Sequence, residues 1–178
     1  MRDMVEIRLI DVNNKEDINI SNEPFELRGR MIVEHNKENG WSHIEELLPV
    51  DKITEMVFPD ENYKFEEMKE YIFLGAYEDN TCVGLAILSP AFSPCLYLYD
   101  LKVNANVRGR GIGRLLIEES LKIAKKKKYE GLYTVGQDNN LNACLFYISC
   151  GFVIGGLDTE VYKGTNQEGK SDIYFYKR

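Results

Sequence analysis

Arg108-Gly109-Arg110-Gly111-Ile112-Gly113 lies between a stretch that reads as strand and one that reads as helix. Before it, Leu96-Tyr97-Leu98-Tyr99-Asp100-Leu101-Lys102-Val103 is rich in β-formers. After it, Gly113, Leu116, Ile117, Ser120, Leu121 and Ala124 fall at the spacing of one helix face. A glycine turn that opens a helix presents unpaired backbone N–H groups at the positive end of the helix dipole, a seat for a pyrophosphate. Glycine also lets the backbone approach phosphate with no Cβ in the way. Arg108, Arg110 and the following Arg114 add charge-assisted donors. A plain strand-to-helix turn with no ligand fits the hexapeptide as well. A dinucleotide fold fits worse, because the spacing is Gly-x-Gly-x-Gly and no strand ending in an acid follows about twenty residues on. A phosphate-binding loop of the Gly-Lys-Ser/Thr type is excluded here, since no such tripeptide follows these glycines into the helix.

Downstream, Asn140-x-x-Ala143-x-x-x-Tyr147-x-x-x-Gly151-Phe152 reads as a short helix followed by a strand, and the β-like residues 131–136 separate it from the first motif. The two motifs, in this order, resemble the signatures of the GNAT N-acetyltransferases. Pro24-Phe25-Glu26-x-x-Gly29-Arg30, Trp41, Glu45-Glu46-Leu47, and the run from Gln137 through Tyr147 to Gly155-x-x-Asp158-Thr159 narrow the resemblance to the streptothricin acetyltransferases. That family acetylates an amine of an antibiotic's β-lysine chain with acetyl-CoA. Residues 50–70 hold seven acids against three lysines, and Tyr99 stands where the family tends to place Glu.

The resemblance implies an α/β fold, with a central, mostly antiparallel mixed sheet flanked by helices, in a single domain over residues 1–178. It implies that the main chain of Leu101, Lys102 and Val103 pairs with the pantetheine arm and supplies an oxyanion donor. The loop from Arg108 through Gly109, Arg110, Gly111, Ile112 and Gly113 to Arg114 would hold the pyrophosphate. Asn140 and Ala143 would line the arm, and Tyr147 would protonate the CoA sulfur. A buried core tyrosine and a helix N-cap are the plainer readings of Tyr147 and Asn140. Asp100, beside the cofactor strand, is a candidate base, or else a structural acceptor. Trp41 and Glu45 are candidates for binding a cation, by ring face and by carboxylate. The implied reaction is acetyl transfer from acetyl-CoA to a primary amine of a small cationic acceptor, with streptothricin and antibiotic resistance as the named case. A protein or peptide N-acetyltransferase, and a non-catalytic acyl-CoA-binding module, are the alternatives.

Composition agrees with a globular enzyme: 178 residues, 44% hydrophobic, formal charge −7. The acidic balance favours a cationic partner and argues against nucleic acid. The one dense basic run, Lys125 to Lys128, ends the helix, where cations suit the dipole. Met1-Arg2-Asp3-Met4 is charged and unlike a secretory leader, and no apolar run is long enough for a membrane span. Cys82, Cys95, Cys144 and Cys150 form no Cys-x-x-Cys, and two histidines complete no metal set. A cytoplasmic protein with reduced thiols and no metal is expected, as monomer or homodimer.

Further strands are expected at residues 5–10, 25–34 and 41–48, in a hairpin of 70–78 with 81–88, and at 152–155 and 173–176. Residues 49–62 read as a loop, and 63–69 as one or two helical turns.

Overall fold

The computed structural model describes residues 5–178, so the N-terminal tetrapeptide read above lies outside the described residues. In chain order the strands and helices are β1 (Glu6–Leu9), β2 (Phe25–Leu27), β3 (Gly29–Asn36), β4 (Gly40–Leu47), β5 (Thr54–Met56), β6 (Ile72–Glu78), β7 (Thr81–Ser89), β8 (Leu96–Val103), α1 (Ile112–Lys126), β9 (Leu132–Gln137), α2 (Leu141–Ser149), β10 (Val153–Asp158) and β11 (Asp172–Lys177). They group into two compact units. One contains residues 5–23, 57–132 and 178, and the other residues 24–56 and 133–177.

The first unit is built on the hairpin of β6 and β7. Its turn residues Asp79 and Asn80 both take left-handed backbone, at φ 49° and 63°. Asp and Asn tolerate that conformation, and a turn of this hand matches the twist of the flanking strands. β1, β6, β7 and β8 follow in that order, each pair antiparallel. α1 buries Ile112, Gly113, Leu116, Ile117, Ser120 and Ala124, the face that the periodicity marks out except for Leu121, which is only half-buried. That face packs on β7, where a side chain at Gly84 would meet Leu116. The alternate positions of the strands, Phe73, Leu85 and Ile87, face the other way. There they bury against Ile10 and Ile18, with Tyr63, Phe65 and Tyr71 around them. One sheet thus carries two apolar layers, and each fully buried Leu or Ile contributes about 1.5–3 kcal/mol.

The second unit holds the β3–β4 hairpin, the β2–β5 pair and the antiparallel pair β10–β11. Residues 25–34, expected as one strand, break at Arg28: β2 pairs with β5, and β3 pairs with β4. β5 itself falls where a loop was expected. α2 packs on β3. The unit is tied at Asp138, which is buried. Its carboxylate accepts from Ser171 N at 3.2 Å and pairs with Arg30 Nη2 at 2.8 Å. Its own backbone N–H donates to Ser171 O, and its carbonyl accepts from Met31 N, both at 2.9 Å. Removing the carboxylate leaves the guanidinium its bond to Gly169 O at 2.8 Å, and, being one-third exposed, it can partly rehydrate. Asp138→Ala should therefore cost about 2 kcal/mol and lower the melting temperature by ~4–8 °C. A calorimetric scan that moves by less than a degree would contradict this.

Candidate active site

β8 leads through a single 3-10 turn (Ala105–Val107) into the glycine loop and then α1. Gly109 and Gly111 take φ 76° and 84°, the left-handed region that favours glycine. Neither is crowded, since a Cβ at either position would meet nothing within 4 Å. Gly111 is the residue that caps α1, and no side chain caps the helix. The first bond of the helix runs from Leu115 N to Gly111 O at 3.1 Å. The amides of Ile112 and Gly113 precede it, in the first turn, where an α-helix offers its N–H groups no intrahelical acceptor. An anion at this point would meet several N–H groups and the positive dipole end together.

Two of the loop's arginines bond to the protein itself. Arg110 forms a two-pronged pair with Glu78 at the end of β6; the Nη1–Oε2 distance is 3.1 Å. This bond holds the Glu78 carboxyl below its ordinary range. Arg108 Nε donates back to Val103 O at 3.0 Å. Both contacts brace the loop against the strands that flank it.

β8 carries a feature the sequence did not disclose. Ile87 pairs with Asp100, and the next residue, Leu88, pairs with Leu98, so Tyr99 is an extra residue in a β-bulge. The bulge brings the Tyr99 ring and the Asp100 carboxylate to the same neighbour. Tyr63 stands 6.1 Å from the Tyr99 ring, and its hydroxyl donates to Asp100 Oδ2 at 3.0 Å. Tyr71 and Tyr97 meet Tyr99 edge-on at 5.5 and 5.8 Å. Lys102, two residues after Asp100, places its ammonium 3.4 Å from Asp100 Oδ2 and hydrogen-bonds Glu61. Burial pushes the Asp100 carboxyl up, and the Lys102 charge pulls it back in part. Burial and the nearby Asp100 charge push the Tyr63 phenol up, so it stays a donor at neutral pH. Glu61 and Tyr63 were not picked out from sequence. The acid-rich character of residues 50–70 was the only signal.

In the second unit, Asn140, Ala143 and Tyr147 share one side of α2 by their spacing. The Asn140 side-chain oxygen accepts from Ala143 N at 3.3 Å, so Asn140 is the helix N-cap. Tyr147 is half-buried, its ring 5.5 Å from Phe152 and from Phe175. Trp41 packs against His35 at 4.8 Å on the β3–β4 hairpin, and Glu45, on the same strand, is exposed. The four cysteines are buried and form no disulfide. Among the described residues no cluster of His, Cys, Asp and Glu is fit to hold a metal, and no helix is long and apolar enough to cross a membrane.

A glycine loop that opens a helix whose N-terminus no side chain caps is a seat suited to a pyrophosphate. The model of the acetyltransferase (GNAT) family matches residues 39–152, across both units. The chain belongs to this family. Streptothricin acetyltransferase A of Bacillus subtilis (strain 168) is 32% identical over 166 residues, covering 92% of this chain and 94% of that protein. A candidate streptothricin acetyltransferase from Bacillus anthracis str. Ames, solved with acetyl coenzyme A, superposes with a TM-score of 0.85 at 28% identity, covering 99% of this chain and 98% of its own. Nourseothricin acetyltransferase gives a TM-score of 0.77 at 25% identity, over 97% of this chain and 96% of that one. This GNAT protein is an acetyl-CoA-dependent acetyltransferase with the expected fold, an α/β architecture with a largely antiparallel sheet.

Proposed function

We propose that this enzyme transfers the acetyl group of acetyl-CoA to a primary amine of a small cationic molecule, and that streptothricin is the acceptor. The observation that carries the reading is the group around Asp100: two carboxylates and tyrosine rings gathered on the strand that would hold the cofactor. The names and the near full-length coverage of the relatives support the same acceptor. In this reading residues 1–178 act as one catalytic domain in the cytoplasm, as monomer or homodimer.

Each residue then has a task. The backbone of Leu101, Lys102 and Val103 pairs with pantetheine and polarises the thioester carbonyl. The amides from Gly109 to Arg114 hold the pyrophosphate. Asn140 and Ala143 line the arm; because the Asn140 oxygen is engaged in the cap, any bond to the cofactor falls to its amide nitrogen. Asp100, directly or through a water, takes the proton that the acceptor ammonium must lose before its lone pair can attack. Tyr147 gives a proton to the departing sulfur. Trp41 and Glu45 contact the rest of the acceptor.

Transfer goes directly from thioester to amine. Burial pushes the Cys82 thiol up to about 11 and the Cys144 thiol up to about 12, and raises Cys95 as well, so none of these three is an activated nucleophile. Initial rates against both substrates should therefore give intersecting lines. Streptothricin incubated with enzyme and acetyl-CoA should gain one acetyl group by mass spectrometry. Parallel lines with a trapped acetyl-cysteine would overturn the direct route. Acetylation of another polyamine with none of streptothricin would overturn only the named acceptor.

A further inference from the structure

The ammonium of Lys102 sits where a substrate ammonium would be expected. Its side chain is only 8% exposed. It meets the Glu61 carboxylate, Asp100 Oδ2 at 3.4 Å, the carbonyl of Ile20 at 3.4 Å, and the Tyr63 ring with 5.7 Å to the centroid. Two carboxylates, a carbonyl and a ring face are the contacts by which proteins recognise a primary amine. Lysine is almost never buried unless it is paired, and here the chain supplies a full set of partners. The seat is anchored on both sides. Asp100 and Lys102 belong to β8, and Glu61 and Tyr63 belong to the segment that crosses it.

We infer that Lys102 is a specificity-determining residue: its ammonium fills a built-in amine seat beside Asp100 and thereby limits how many positive charges of an acceptor this site can hold. The inference rests on the reading that amines are accepted at Asp100. With Lys102 in place, two carboxylates already share one resident cation. An incoming amine then finds one uncompensated negative charge. Without Lys102, the seat would hold two unmatched carboxylates, and a polyamine could place one ammonium there while presenting another.

The test is calorimetric binding to the full-length protein saturated with CoA, using spermidine as the polycation and butylamine as the monocation. Lys102→Met should bind spermidine at least about ten times more tightly than wild type, while butylamine changes by less than about threefold. Glu61→Gln combined with Lys102→Met removes one of the freed carboxylates, and the gain should largely disappear. Should the methionine variant fail to fold, Lys102→Gln removes the charge while keeping a hydrogen-bond donor, and it should show the same gain. A folded Lys102→Met or Lys102→Gln protein that binds spermidine no better than wild type overturns the inference. So does a double variant that keeps the whole gain. Failure of the activity reading is separate: wild type would then acetylate no amine at all, while the ranking of spermidine binding would be unaffected.

Discussion

Tyr147→Phe should lower kcat by about 10- to 1000-fold and leave the affinity for acetyl-CoA unchanged. The ring is held by aromatic packing, with Phe146 at 5.7 Å and Phe152 and Phe175 at 5.5 Å, and phenylalanine keeps all of it. The substitution therefore removes only the hydroxyl. A proton donor to sulfur matters as charge builds on the leaving group, not while the cofactor binds. The loss should therefore appear in kcat and kcat/KM together. A free thiol has a pKa of about 8.5, so a thiolate is a tolerable leaving group near neutral pH. That places the expected loss below the largest effects seen for general acids. Pre-steady-state rates identify whether chemistry limits turnover. An unchanged kcat under that condition would leave Tyr147 a packing residue of α2.

What the sequence disclosed followed from local order. The face of α1 repeats with helical period and ends at a lysine run, and the Asp79-Asn80 turn needs only its two residues to specify its hand. Asn140 as a cap and the separation of the two motifs were legible for the same reason. The β2–β5 pair was not. Each strand is three residues long, neither alternates clearly, and their register joins residues that lie far apart in the chain, such as Phe25 and Met56. The Tyr99 bulge was hidden on different grounds, because two residues opposing one is a property of a strand pair and cannot be read from β8 alone. Glu61 and Tyr63 reach Asp100 and Lys102 through tertiary contact across some forty residues. Arg110 shows the reverse limit. Its charge suggested phosphate, and only the fold reveals Glu78 as its partner.

Gly111→Val should weaken CoA binding by about 100-fold or more. The estimate follows from losing two or more amide bonds to a charged group, each worth about 1.5–3 kcal/mol. Two causes act at this residue. The first is conformational. Gly111 has φ 84°, a region that a β-branched residue enters only under strain, so valine would pull the cap of α1 toward another shape and turn the amides away. The second is steric. A Cβ at Gly111 meets no protein atom within 4 Å, so the space it would occupy is open to the ligand. Gly111→Asn separates the two, because asparagine tolerates left-handed backbone while still carrying a Cβ. If backbone shape governs, Gly111→Asn binds CoA nearly as well as wild type and valine alone fails. If phosphate must approach the Cα closely, both variants lose binding to a similar degree. Titration calorimetry of CoA into each folded variant decides between these, and a Gly111→Val protein with wild-type affinity would remove the loop from the cofactor site altogether.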